Sequence, residues 1–361
     1  MTVLNIIIVA FAALGALDYL LGGKLLGVGK DFERAFSLLG VMSLAMIGMI
    51  VLAPVLGEWM RPLFGAFYNL FGIDPSIIPA SLLANDMGGA PLATEVAKNA
   101  ALGGFNAYVV AAMMGATVSY TIPFALGIVP KEKHTPLILG LLCGIITIPV
   151  GCLVSGIMLQ IPFGLLLLDL LPLILLCGIL AVLLLLFPAG CVKAFKIFGF
   201  FIKALVIVGL LLGITQYMTG FTPVKGLGSV TDGALVCFNA AIVMAGAFPL
   251  LSLLARLLRK PLGALGRKIG VNDASAVALI GTLATNATTF GTAEKMDDKG
   301  LMINSAFAVS AAFTLAGHLA FTLAFDGSYV PSMIVGKLTA GICALVIAFP
   351  IYRHTAKKAT E

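Results

Sequence analysis

Long apolar runs dominate the chain. Crossing a hydrocarbon layer takes ~20 apolar residues in a helix. About nine runs meet that length: 3–22, 36–53, 104–129, 136–158, 163–187, 196–217, 232–255, 301–325 and 332–352. Two further apolar stretches, 76–97 and 272–290, are interrupted by polar residues or by Gly and Pro. The first interruption reads Leu83-Ala84-Asn85-Asp86-Met87-Gly88-Gly89-Ala90-Pro91. The second reads Leu283-Ala284-Thr285-Asn286-Ala287-Thr288-Thr289. Segments 56–71 and 256–270 are short and amphipathic, with basic or aromatic residues, a pattern that suits helices lying in the membrane interface. The pattern predicts an all-α polytopic membrane protein, one domain over 1–361.

The same features recur in the same order. Pro54-Val55-Leu56 resembles Pro249-Leu250-Leu251, and Arg61-Pro62-Leu63 resembles Lys260-Pro261-Leu262. Ser76 and Ser275, Leu83-Ala84 and Leu283-Ala284, then Asn106 and Asn304, follow in register. Each half runs span, interfacial helix, broken segment, two spans, so two repeats are expected at about 36–158 and 232–352. Charge sets their orientation. If both broken segments are re-entrant hairpins, only Arg61, Lys98, Lys225 and Lys337 of the 22 lysines and arginines fall on one side. If both segments cross, the charges divide almost evenly. Cytoplasmic loops carry the excess of Lys and Arg, which favours hairpins. It also places the N-terminus outside and the C-terminus in the cytoplasm. An odd number of crossings between the halves makes the repeats inverted, the plan of a secondary carrier. By fold-level analogy the carrier is elevator-like and a homo-oligomer.

Composition narrows the class. The chain is 60% hydrophobic and 11% charged, against roughly 25% charged in soluble proteins. The net charge of +6 comes from residues scattered in loops, so no nucleic-acid partner is expected. The six Cys lie in or beside apolar runs without a CxxC pair and read as small buried hydrophobes. The first apolar run lacks a basic leader and reads as a span. Walker, GxSxG and HExxH motifs are absent. An ATP-driven pump, an enzyme and a metal or cofactor site are therefore not expected, beyond coupling to H+ or Na+.

The candidate chemistry lies in the two interruptions. A charge at membrane depth costs ~2.5–3.5 kcal/mol on insertion scales and is usually functional. Asp86 would pair with a cationic amine, and Asn85 would serve a hydroxyl. Gly88 and Gly89 permit the turn, and the alternative for Asp86 is an N-cap. Thr285, Asn286, Thr288 and Thr289, with Thr282, would supply neutral oxygens to a polar ligand or Na+, unless the hydroxyls bond back to their own helix. Ser119, Tyr120 and Thr121 interrupt a span before Pro123, and Tyr120 could offer a cation–π face. Glu95 is either a second acid or a surface residue. Asn106, Asn239 and Asn304 read as helix caps, His318 as a satisfied core histidine, and Asp169 as snorkelling to the interface. Trp59 would anchor the first interfacial helix.

Several strings carry a family resemblance: Ser81-Leu82-Leu83-Ala84-Asn85-Asp86-Met87-Gly88-Gly89, Met113-Met114-Gly115-Ala116-Thr117, Thr121-Ile122-Pro123, and Gly144-Ile145-Ile146-Thr147-Ile148-Pro149-Val150-Gly151-Cys152. With Leu52-Ala53-Pro54-Val55-Leu56, they resemble the ethanolamine permease family of the ethanolamine-utilisation operon (EutH). The resemblance implies uptake of ethanolamine across a bacterial inner membrane. It supplies no binding residues, so the site rests on the side chains above. The alternatives are an H+- or Na+-coupled carrier of another small polar solute and a channel-like facilitator of neutral ethanolamine.

Overall fold

The computed structural model describes residues 3–358. Among them every regular element is a helix. Eight helices are long and apolar enough to cross a membrane. Helix α1 (Val3–Leu20) leads into α2 (Gly29–Phe71) through a turn organised by Asp18. That carboxylate accepts the backbone N–H groups of Leu25, Leu26, Val28 and Gly29 at 2.6–2.8 Å. At 43 residues, α2 is about 64 Å long. The expected span 36–53 and interfacial helix 56–71 are thus one helix. It runs through Pro54 and Pro62, each of which costs a hydrogen bond without ending the helix here.

The first broken segment consists of α3 (Ile77–Leu82), a single turn at Asn85–Met87, and α4 (Gly89–Val96). Its limbs have 6 and 8 residues, about 9 and 12 Å, too short to cross. Asp74 shows that the segment doubles back. One carboxylate oxygen accepts from Ser76 N–H and O–H, and the other from Lys98 N–H at 2.9 Å and Asn99 N–H at 2.8 Å. The two feet are therefore tied together. Gly88 turns the chain at φ 97°, a conformation that suits glycine.

The next span joins α5 (Ala100–Phe105), π-helical turns at Asn106–Gly115 and Thr117–Thr121, and α6 (Ile122–Ile128). It is the most enclosed of the spans, 78% buried. Around it lie α7 (His134–Ile145), α8 (Ile148–Met158), α9 (Phe163–Leu186), α10 (Pro188–Thr219) and α11 (Val230–Ile269). Segment 256–270 continues α11 in the same way that 56–71 continues α2. The side chains 258–267, on which its amphipathic expectation rests, lie outside the described residues.

The second broken segment is α12 (Asp273–Ala284) and α13 (Asn286–Gly291). Its feet are tied as well. Asn272 Nδ2 donates to the Lys295 carbonyl at 2.8 Å, and Asn272 N–H and Ser275 Oγ both donate to Asp297 at 3.0 Å. The chain finishes with α14 (Asp298–Ala311), α15 (Gly317–Asp326) and α16 (Val330–Lys358). The stretch 301–325, expected as one span, is split at 312–316. There Phe313 and Leu315 donate their N–H groups to the carbonyls of Thr282 and Leu283, at 3.1 and 3.0 Å. Phe313 takes a left-handed φ of 61°, unusual for a bulky residue. The helix is opened because its backbone is spent on the second broken segment.

The two pairs of feet lie at opposite ends of the span Ala100–Ile128. That span starts beside Lys98 and Asn99 and ends at the loop Lys131–Lys133. Lys133 Nζ donates to carbonyls of Ala293, Glu294 and Met296, at the second pair of feet. Helices meet through glycine: Cβ atoms at Gly140 and Gly151 would lie 2.2 and 2.4 Å from the carbonyls of Met302 and Gly336. Such backbone-to-backbone approach is how helices pack where lipid offers no hydrophobic drive.

Candidate functional site

The π-helical stretch reaches both interruptions. Ser119 Oγ accepts the Ala84 N–H at 3.0 Å and donates to the Gly115 carbonyl at 2.7 Å. Two residues on, Thr121 Oγ1 accepts from Asn286 Nδ2 at 2.8 Å. A π turn shifts register by one residue, and such turns are frequent at functional sites. Here it brings Ser119 and Thr121 to different tips while Tyr120, between them, faces a cavity of about 280 Å³.

Both tips line that cavity: Asp86 and Met87 from the first, Ala284 and Thr285 from the second. Tyr120 packs edge-on to Phe313, centroids 5.5 Å apart, and stacks on Phe124 at 5.2 Å. Phe313 lies 5.1 Å from His318. On another wall the Arg34 guanidinium sits 5.4 Å over the Phe248 ring. Asp86 accepts no hydrogen bond from another residue among those described. Its Oδ2 lies 3.6 Å from where a Cβ on Gly317 would be, so it faces the first turn of α15, where the helix dipole favours negative charge. The N-cap of α4 is Gly88, without a side-chain cap, so the capping alternative for Asp86 does not hold. A carboxylate beside aromatic faces is a set of groups that can hold an alkylammonium.

The other sequence candidates have different places. Thr285 lines the cavity and caps α13 through its bond from Ala287 N–H at 3.2 Å. Asn85 and Asn286 are buried behind the tips; Asn85 Oδ1 accepts the Asp86 N–H at 3.0 Å. Thr289 is buried, 2.6 Å from Thr282 Oγ1, and Thr288 is exposed and bonds back to the Thr285 carbonyl. Gly88 and Gly89 shape the turn: a Cβ on Gly89 would lie 2.1 Å from the Leu83 carbonyl oxygen. Glu95 lines a separate surface cleft with Arg61 and Lys98. A larger cleft of about 340 Å³ between α2 and α10 has walls that are mostly apolar, with no acidic residue.

Four expectations change. Asp169 does not snorkel; it is 1% exposed, and neither carboxylate oxygen accepts a hydrogen bond among the described residues. Asn106 and Asn304 are not caps: they tie the span Ala100–Ile128 and α14 to the hairpin feet, donating to Ser76 Oγ at 2.9 Å and to the Ser275 carbonyl at 2.8 Å. His318 is buried at the cavity, but its Nδ1 has no hydrogen-bond partner among the described residues. Lys337, counted with the charges of the sparse side, falls inside the expected span 332–352. It lies inside α16, 1% exposed, with Nζ donating to the Ala112 carbonyl at 2.5 Å. Its place inside that span was the available signal. Phe313, Phe248 and Arg34 carried none, because aromatic residues and a span-end arginine are ordinary in membrane helices.

Among the described residues no cluster of three His, Cys, Asp or Glu could hold a metal. The profile of the family described as "Ethanolamine utilisation protein, EutH" matches residues 1–351. A "probable ethanolamine permease EutH" of Listeria monocytogenes is 39% identical over 98% of this chain and 94% of its own length. The uncharacterized protein YxeR of Bacillus subtilis is 36% identical over 95% and 92%. A "probable ethanolamine permease EutH" of Escherichia coli is 35% identical over 94% and 89%. No solved structure matches. With nearly the whole chain matched on both counts, the protein belongs to the EutH family of ethanolamine utilisation proteins.

Proposed function

We propose that this protein is a permease for ethanolamine, not an enzyme. It would act in a bacterial inner membrane by alternating access, with the cavity between the two tips as its substrate site. The family and the names of its relatives support the substrate. The observation that carries the site is Asp86: a carboxylate at membrane depth that accepts no hydrogen bond from another described residue and lines the cavity with Tyr120 and Phe313. In this reading Asp86 holds the ammonium, Tyr120 gives it an aromatic face, and Thr285 serves the hydroxyl. Asn85, Asn286 and Thr289 support the tips, Gly88 and Gly89 set the turn, and Thr288 stays outside the contact shell.

Two hairpins tied at opposite ends of one span, each with an Asn from the following helix on its foot, support an inverted repeat. An elevator-like movement of the hairpins, a homo-oligomeric scaffold, an outside N-terminus and a cytoplasmic C-terminus complete the proposal. Burial of Lys337 removes one of the four charges from the sparse side and leaves the bias in place. The test is saturable uptake of labelled ethanolamine into proteoliposomes. Asp86→Asn should abolish it, and Tyr120→Leu should weaken it. Unchanged uptake by Asp86→Asn removes this site. A second reading has an observation of its own. Arg34 lines the same cavity as Asp86, and a fixed cation beside the one carboxylate favours net movement of the neutral amine.

A further inference from the structure

The wedge-shaped cleft between α2 and α10 is left unused by the binding reading. At its narrow end the two helices cross backbone to backbone. A Cβ on Gly48 would lie 2.0 Å from the Val206 carbonyl oxygen, and one on Gly209 2.3 Å from that of Gly48. From this crossing the helices part toward lower residue numbers, where Val41 and Leu44 on one side and Phe198 and Ile202 on the other line about 340 Å³ of space. That is the size of a ligand pocket. The wide end leads to the start of α2, which carries Lys30 and Arg34 beside Asp31 and Glu33. It leads equally to the start of α10, which carries Lys193 and Lys196 and no acidic residue.

Lys203 is the charged residue on the cleft wall. It stands about 22 Å along α10 from Pro188, inside the expected span 196–217. It takes part in no hydrogen bond or ion pair among the described residues. A cation at such depth reaches for water or for an anion. Helical side chains lean toward the N-terminus of their helix, so Lys203 leans over Gly199, toward the wide and basic end. No side chain blocks that path, because nothing lies within 4 Å of a Cβ position on Gly199. The cleft thus offers an apolar trough with a cation at its mouth. Basic pockets between membrane helices take anionic lipid head groups.

We propose that this cleft is a site for an anionic phospholipid, with the phosphate at Lys203 and one acyl chain packed along Met87 and Ser119. Val41 and Met87 line both this cleft and the cavity that holds Asp86. Lipid chain and substrate therefore meet opposite sides of Met87, the residue after Asp86. Ser119 and Tyr120 divide in the same way, the first to the cleft and the second to the cavity. A bound chain fills the space behind the first tip and holds Asp86 toward the substrate cavity. Anionic lipid then stabilises the protein and raises uptake. The coupling to uptake rests on the proposed substrate cavity; the binding does not.

The binding test follows the midpoint of thermal unfolding of the full-length protein in detergent, without substrate, as lipid is added. Phosphatidylglycerol should raise the midpoint saturably, and phosphatidylcholine and inorganic phosphate should not. Lys203→Gln should need about fivefold more phosphatidylglycerol for the same rise, the worth of one basic residue at an anionic lipid surface. Gly199→Phe, which keeps Lys203 and fills the cleft, should unfold at the wild-type midpoint without lipid and gain nothing from it. Equal stabilisation by phosphatidylcholine, or by inorganic phosphate alone, overturns the lipid assignment. A wild-type response in Lys203→Gln, as a second copy of the chain covering the cleft would give, overturns the site even if Gly199→Phe cannot be purified. The uptake test compares labelled ethanolamine entry into phosphatidylethanolamine vesicles with and without phosphatidylglycerol. The wild type should be faster with phosphatidylglycerol, and Lys203→Gln should lose that gain. Stabilisation by phosphatidylglycerol with no change in uptake overturns the coupling through Met87. Full uptake by Asp86→Asn is the separate failure, that of the substrate cavity itself.

Discussion

Gly115 is where the π-helical stretch touches the first limb of the first hairpin, and a single methyl there tests how the tip is seated. A Cβ at this position would lie 2.0 Å from the Leu83 carbonyl oxygen and 2.5 Å from that of Ala80. Both are backbone atoms, so no side chain can swing away. To reach ordinary van der Waals contact, the Leu83 carbonyl must retreat by about 1.4 Å. Leu83 is three residues before Asp86, so the displacement reaches the tip directly. It also strains the Ala84 N–H to Ser119 Oγ bond at 3.0 Å. Overpacking of this kind costs roughly 1–3 kcal/mol. Gly115→Ala should therefore lower the midpoint of thermal unfolding in detergent and reduce ethanolamine uptake at least tenfold, since misplacement of ~1 Å at a site is costly. Gly127→Ala is the matched control, because nothing lies within 4 Å of its Cβ position. It should be neutral or gain up to about 1 kcal/mol from helix propensity. Wild-type stability and uptake in Gly115→Ala would refute the seating of the hairpin described here.

Three further outcomes follow from the same geometry. Thr121→Val removes the partner of the buried Asn286 amide, whose Oδ1 already has none; it should cost about 1 kcal/mol, with Thr121→Ser restoring wild-type stability. Asp74→Ala deprives four donors of their acceptor and unties the first pair of feet. It should cost on the order of 3 kcal/mol and abolish uptake, and an unaltered melting curve would contradict the tie. A cysteine at Lys98, placed in a protein without other reactive thiols, should be labelled by an impermeant reagent from outside in intact cells. Labelling only after permeabilisation would reverse the proposed orientation.

Much of this protein is determined by its sequence because lipid imposes so few solutions. Every backbone polar group must be satisfied within the span, so long apolar runs become helices. The interruptions at Asn85–Asp86 and Thr285–Asn286 stood out because polar residues there are expensive. The charge count also told hairpins from crossings, since short loops sort by Lys and Arg. Tertiary structure decided the rest. Residues 312–316 contain no proline, and their break comes from hydrogen bonds to Thr282 and Leu283, just over thirty residues away in sequence. The π-helical register that sends Ser119 and Thr121 to different tips leaves no periodic signal. Lys337 falls within an expected span, and only the packing around α16 shows that it is fully enclosed. Local pattern reports what each segment can bury; only packing shows which buried groups meet, and so which residues line one cavity.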